Sequence, residues 1–245
     1  MTDEKPYYFI SDLHFGFRSY AEEREQIRFF ENVCDEIIRV RGYLVILGDL
    51  FDYWFEYKTV VQKNFHRILT KIEDISDAGL KIFYLSGNHD FAHLGYFKNS
   101  FGIELSEQSI TFELRKKKFF LAHGDGLVKN DFGYLLLKSI FRNKMLQKLY
   151  SKIHPSIGVK LASAFSRKSR HYTDGKNYGT IDGLSEFAKQ KIEEGFNFVV
   201  LGHSHERKFE RYNDGYYINL GTWLKQPCYG LYSNGEFKII DKENG

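Results

Sequence analysis

Five clusters of carboxylate, amide and imidazole side chains recur along this chain, each directly after a short apolar run. They are Asp12-Leu13-His14, Gly48-Asp49, Gly87-Asn88-His89-Asp90, His123-Gly124-Asp125 and Gly202-His203-Ser204-His205. Carboxylate and amide oxygens mixed with imidazole nitrogens suit Mn, Fe, Zn or Mg. Cys34 and Cys228 are too few and too far apart in sequence for a cysteine-held zinc or iron–sulfur site. The donors outnumber what one ion takes, which implies two divalent ions about 3.5 to 4 Å apart under a shared carboxylate, as in two-metal hydrolases. Asp49 is the natural bridge. Taken singly, each cluster has a plainer reading: Asp-x-His after a strand serves as a cap, and Gly-Asn-His-Asp serves as a tight turn. All five together, each behind an apolar run, point to one metal site.

Strands must deliver these residues. The preceding runs, Tyr7 to Ile10, Tyr43 to Leu47, Lys81 to Leu85, Lys118 to Leu121 and Phe196 to Leu201, are rich in the aromatic and branched residues of buried strands. Residues just past the carboxyl ends of strands in an α/β sheet converge on one crevice, so clusters far apart in sequence can meet. Helices are predicted over Glu22 to Val40 (Ile27, Phe30, Val33, Ile37 on one face) and Val60 to Ala78 (Phe65, Ile68, Leu69, Ile72). Hairpins are predicted around Ile110 to Leu121 and Tyr216 to Ile240, the second turning at Ser233-Asn234-Gly235. At 245 residues, 42% hydrophobic and with 3 Pro, the chain reads as a single domain, 1–245, without repeats or low-complexity linkers. The acidic start enters the first strand at once, which leaves no room for a signal peptide, and no run reaches transmembrane length. Both cysteines are expected to be free thiols in a reducing, cytoplasmic setting.

Charge is unevenly spread. Residues 127–180 hold eleven Lys or Arg against Asp131 and Asp174, about +9 in a chain of net +3. Leu136, Ile140, Met145, Leu149 and Ile153, then Ile157, Leu161 and Phe165, recur there at helical spacing, with Pro155 between two helices. This reads as a basic amphipathic helical insertion that leaves from the HGD loop and returns before the GHSH strand, a lid over the site. Its composition suits an anionic membrane surface or a lipid substrate. Nucleic acid is not expected, because no recognition motif accompanies the charge.

The series DxH, GDxxD (Gly48-Asp49-Leu50-Phe51-Asp52), GNHD, HGD and GHSH resembles the calcineurin-like metallophosphoesterase superfamily. The resemblance implies a four-layer α/β/β/α sandwich. It implies one metal on Asp12, His14, Asp49 and His205 and a second on Asp49, Asn88, His123 and His203. It also implies catalytic roles for His89, as acid or charge stabiliser, and for Asp90, as the group orienting it. Two ions acidify a shared water for in-line attack on phosphorus, and no covalent intermediate is needed.

Within the superfamily, the YFISDLHFG, GDLFDYWFEY, GNHDF and HGDGLVKND segments most resemble the UDP-2,3-diacylglucosamine pyrophosphatases of lipid A biosynthesis. That implies two Mn2+ ions, a lipid-linked sugar nucleotide cleaved to UMP and 2,3-diacylglucosamine 1-phosphate, and a peripheral place on the cytoplasmic face of the inner membrane. Asn88, His89 and His203, with Asp131 and Lys176 from the lid, would meet substrate. One departure stands: His89 replaces the arginine usual in that group, a titratable imidazole in place of a fixed phosphate clamp. A hydrolase of a soluble nucleotide, phosphodiester or phosphoprotein is the alternative. His66, His93, His154 and His171 lie outside the clusters and are expected at the surface or in the core. Phe51, Tyr53, Trp54 and Phe55 are expected to pack in the core. Gly221-Thr222-Trp223 resembles a closing loop in which Trp223 is structural.

Overall fold

The computed structural model describes residues 5–127, 143–162, 164 and 183–242. In one sheet, β1 (Tyr7–Ile10), β2 (Tyr43–Ile46), β3 (Ile82–Leu85) and β4 (Leu105–Ser106) run parallel. The sheet continues past β1 through antiparallel β10 (Cys228–Ser233) and β11 (Glu236–Asp241), giving the order β11-β10-β1-β2-β3-β4. The second sheet has the order β5-β6-β7-β9-β8. There β6 (Lys117–Ala122), β7 (Phe198–Leu201) and β9 (Gly215–Leu220) are parallel, and β5 (Ile110–Leu114) and β8 (Arg207–Tyr212) are antiparallel edges.

Successive strand residues point to opposite faces, and here both faces are apolar, so each sheet is covered twice. Phe9, Val45, Leu47 and Leu85 of the first sheet meet Phe119, Leu121, Phe198, Val200 and Ile218 of the second. The other face of the first sheet, with Tyr8, Ile10, Leu44 and Ile46, packs on Ile27, Phe30 and Ile37 of α1 (Arg24–Val40) and on Ile68 and Ile72 of α2 (His66–Asp77). The outer face of the second sheet, with Phe120, Val199 and Leu201, takes Leu184, Ala188 and Ile192 of α5 (Gly183–Glu193). This is the four-layer α/β/β/α order expected from the motifs. A short α3 (Tyr96–Phe101) buries Phe97 and Phe101 beside α2.

The helices begin later than periodicity predicts. Glu22 turns back to accept from the Ser19 amide and hydroxyl, at 2.9 and 2.6 Å, so α1 starts at Arg24 rather than Glu22. Val60 and Val61 stay out of α2 and are exposed; a 3-10 turn over Lys63–Phe65 precedes it, anchored by Phe65 against Phe51. The β10–β11 hairpin turns through Asn234 (φ 53°) and Gly235 (φ 83°), both in the left-handed region that a two-residue hairpin turn requires. Between β6 and β7, α4 (Lys144–Tyr150) is followed by helical residues 155–162, with Pro155 at the first position of the second stretch. Asp131, Leu136, Ile140, Phe165, His171 and Lys176 lie outside the described residues.

Candidate metal centre

Loops leaving the carboxyl ends of β1, β2 and β3 in one sheet and of β6 and β7 in the other bring the five clusters to one rim. Asp12, His14, Asp49, His203 and His205 all have φ between 51° and 70°, a region side-chain-bearing residues seldom occupy. Each such residue costs on the order of 1 kcal/mol or more, so the surroundings must impose it. Those surroundings are visible. The Asp12 and His14 amides donate to Gly48 and Asp49 carbonyls at 3.2 and 3.0 Å, and the Trp223 amide and Thr222 hydroxyl donate to the Asp12 carbonyl at 3.1 and 3.0 Å. Glycine permits the closest approach: a Cβ on Gly87 would run into the Asp49 carboxylate.

Donor atoms gather in two sets that share Asp49. In the first, His14 Nε2 and His205 Nε2 lie 3.0 Å apart, His205 Nε2 lies 3.4 Å from Asp12 Oδ1, and His14 Nε2 lies 3.7 Å from Asp49 Oδ2. In the second, Asn88 Oδ1 lies 3.1 Å from His123 Nε2 and 2.8 Å from His203 Nδ1, and His123 Nε2 lies 3.4 Å from Asp49 Oδ2. Ligands about 2.1 Å from a cation sit roughly 3 Å or more from one another, so both sets have the spacing a divalent ion needs. Asp12, His14 and Asp49 are essentially buried, where carboxylates require a cationic partner. The donor set therefore fits divalent metal. His123 is preoriented for it: Nδ1–H donates to the Leu47 carbonyl at 2.8 Å, which turns Nε2 toward the second set.

The electrostatics follow from crowding. Burial alone would raise Asp49, but the charges of His123 and His89, the hydrogen bond from His123 and the charge of His14 outweigh it and hold the carboxyl well below its ordinary range. For His123, burial opposes the charged form, yet the Asp49 carboxylate prevails and raises it to about 10. His203 is lowered to about 4 by burial and by the charge of His123. A cation held by His123 would take the place of its proton, so metal and proton would compete.

Two acidic residues, Asp90 and Asp52, brace the loops that carry the donors. The Asp90 carboxylate, the group expected to orient His89, accepts from Gly87 N at 2.7 Å, Leu50 N at 2.9 Å, Asp49 N at 3.2 Å and Tyr84 Oη at 2.7 Å. With four donors converging on it, Asp90 clamps the Asp49 loop to the GNHD turn. The His89 ring is held by Asp52: its Nδ1–H donates to the Asp52 carbonyl at 2.9 Å, and the Asp52 carboxylate lies 3.6 Å from His14 Nδ1 and 4.0 Å from His89 Nδ1. Asp52 had no assigned role, although the GDxxD spacing was the signal that could have supplied one.

His93 is mostly buried beside Trp54 and Phe97, 3.6 Å from Glu56, which fits the core role expected of it. His66 and His154 are exposed. Glu56 also accepts from Leu94 N at 2.6 Å and Tyr96 N at 3.0 Å, fixing the loop that follows GNHD. Burial works to raise Glu56, but His93 and those two amides lower it below the ordinary glutamate range. A lowered carboxyl contributes stability above its unfolded value and loses it as pH falls through the folded one. Glu56→Gln is expected to lose about 1 to 3 kcal/mol in urea unfolding at pH 7, a deficit that shrinks as pH falls below 4. Phe51 and Trp54 are core residues, and Trp223 is buried with its indole N–H on the Cys228 carbonyl at 2.7 Å. Cys34 and Cys228 are free and buried.

Residues 5–207 match the model of the calcineurin-like phosphoesterase family. The UDP-2,3-diacylglucosamine hydrolase of Porphyromonas gingivalis is 32% identical over 255 residues, covering 97% of each chain. The UDP-2,3-diacylglucosamine hydrolase of Haemophilus influenzae (strain PittGG) is 29% identical over 239 residues, covering 95% of this chain and 98% of that one. Among solved structures, Yfce, a phosphoesterase from E. coli, matches with a TM-score of 0.50 at 14% identity, covering 98% of this chain and 95% of that one, a likeness of fold. The resemblance drawn from the five motifs therefore extends over 97% of the chain.

Proposed function

The chain belongs to the calcineurin-like phosphoesterase family of metal-dependent hydrolases, and from that premise we propose that it cleaves the diphosphate of UDP-2,3-diacylglucosamine to UMP and 2,3-diacylglucosamine 1-phosphate. The observation that carries this reading is the end-to-end likeness to relatives named for that substrate. Asp12, His14, Asp49 and His205 would hold one divalent ion, and Asp49, Asn88, His123 and His203 the other, with Mn2+ the favoured metal. Such ions, when bound, supply an acidified water and positive charge for the phosphoryl oxygens.

The chain's own residues do the rest. Asp49, anionic and buried, joins the two donor sets. Asn88 and His203 would lie against the phosphoryl group. His89, oriented by the bond from its Nδ1–H to the Asp52 carbonyl, would protonate the departing oxygen or stabilise its charge. Asp90 keeps the Asp49 and GNHD loops in register.

Residues 127–180 would form a lid that takes the acyl chains and rests on the membrane, with Asp131 and Lys176 at the substrate. Supporting this, Met145, Leu149, Ile157 and Leu161 are more than half exposed, interleaved with exposed Lys148, Lys152 and Lys160. Among the described residues no helix is long and apolar enough to cross a membrane. The location that follows is peripheral, on the cytoplasmic face of the inner membrane, with anionic lipid as the partner.

His89 in the arginine position favours a second reading, a soluble phosphodiester or nucleotide as substrate, because a titratable acid suits many leaving groups. One comparison separates the two. UDP-2,3-diacylglucosamine is expected to be hydrolysed with a kcat/KM about 10² or more above that of non-acylated UDP-glucosamine, since burying acyl chains supplies binding that the bare sugar nucleotide lacks. Equal values would remove the lipid from the substrate and favour the soluble reading.

A further inference from the structure

We infer that Tyr57 and Gly158 form the seat by which the insertion is held against the segment carrying Asp49, Asp52 and His89, and that this seat governs selection of a large substrate without taking part in hydrolysis. Gly158 is buried within the helical stretch 155–162 and its φ is not positive, so backbone conformation does not require glycine there. Glycine in a helix interior is a poor choice beside alanine, so the reason must lie in a neighbour. That neighbour is Tyr57: a Cβ at position 158 would overlap the Tyr57 hydroxyl oxygen while sitting 3.3 Å from its Cζ. The Tyr57 hydroxyl is buried and has no hydrogen-bond partner among the described residues, so it sits there by shape.

Other contacts make the seat a junction. Tyr150 at the end of α4 donates its hydroxyl to the Gly158 carbonyl at 2.6 Å, tying the two helical stretches together, and its ring packs 4.5 Å from Phe55. Phe55 in turn forms a parallel bridge with Ala92, just beyond GNHD, and the Trp54 amide donates to the His89 carbonyl at 3.1 Å. The insertion therefore rests on the backbone that positions His89. Through Phe55 and Tyr57, a shift of the insertion and a shift of the substrate surface become one movement.

The role in selection rests on the substrate reading above; the seat itself is testable without substrate. Backbone hydrogen exchange over residues 144–162 would be compared in wild type, Gly158→Ala, Tyr57→Phe and the double variant. Gly158→Ala is expected to speed exchange about tenfold through overpacking and to raise KM for UDP-2,3-diacylglucosamine about tenfold, with hydrolysis of a small aryl phosphodiester within about twofold of wild type. Tyr57→Phe removes the colliding oxygen, so the double variant is expected to regain wild-type exchange and KM. Unchanged or slower exchange in Gly158→Ala, as helix propensity alone would give, overturns the seat, and so does failure of Tyr57→Phe to rescue. Should wild type release no UMP, the substrate reading falls, and the exchange result decides the seat alone.

Discussion

Asp49→Asn is expected to lower hydrolysis of any phosphoester this chain accepts by on the order of 10³-fold or more, the largest effect of any conservative substitution in the molecule. The amide keeps the shape of the carboxylate and its Oδ1 can still accept from the His89 amide, a bond of 2.9 Å. What it loses is the negative charge that both donor sets share and that balances His14 and His123. Two readouts distinguish lost chemistry from lost structure. Metal-free melting is expected to fall, because the neutral amide leaves His123 without the carboxylate that holds its charge, so folding of the variant is confirmed by circular dichroism below its own Tm. The rise in Tm on adding Mn2+, which wild type should show through preferential binding to the folded state, should vanish in the variant. A variant with wild-type turnover and an intact Mn2+ shift would contradict the shared-carboxylate arrangement.

His89→Gln comes second, with an expected loss of about 10² to 10⁴ in kcat. Gln can still donate a hydrogen bond but cannot release a proton. The ring is held by Nδ1–H on the Asp52 carbonyl, so its removal frees a backbone acceptor and takes away a ring that stands edge-on 4.9 Å from that of His14. If His89 is the acid, the variant loses the basic limb of the pH–rate profile, and substrates with good leaving groups, such as nitrophenyl esters, suffer least. An unchanged basic limb would leave His89 an electrostatic role only.

The convergence of the five clusters was legible because each is written as contiguous residues behind an apolar run, and parallel strands bring such loops together whatever lies between them. The layering came from the resemblance those clusters carry, and strands apolar on both faces give it a physical reason, since they demand covers on both sides. Asp52 and Asp90 were not separable on paper. Both stand beside ligands, and only the fold shows that Asp90 collects four donors while Asp52 faces two imidazoles. Left-handed φ at Asp12, His14, Asp49, His203 and His205 leaves no trace in residue type, because Asp and His are not the glycine that would advertise it. Helix starts were misplaced where side chains do local work: Glu22 closes a turn on Ser19, and Val60 and Val61 lie outside any helix, ahead of the 3-10 turn. The pairing of Tyr57 with Gly158, 101 residues apart in sequence, belongs to the same class, a shape match visible only in space.

The account stands most directly on one assay: UMP release from UDP-2,3-diacylglucosamine by metal-stripped protein, with and without Mn2+, against His123→Ala as the blank. His123 links Asp49 and Asn88 within the second donor set, so its loss should silence the centre. Release that depends on added Mn2+ and is absent from the blank is the predicted result. Cleavage of a simple aryl phosphodiester under the same conditions, with this substrate left intact, would contradict the substrate assignment and confine the account to two-metal phosphoester hydrolysis.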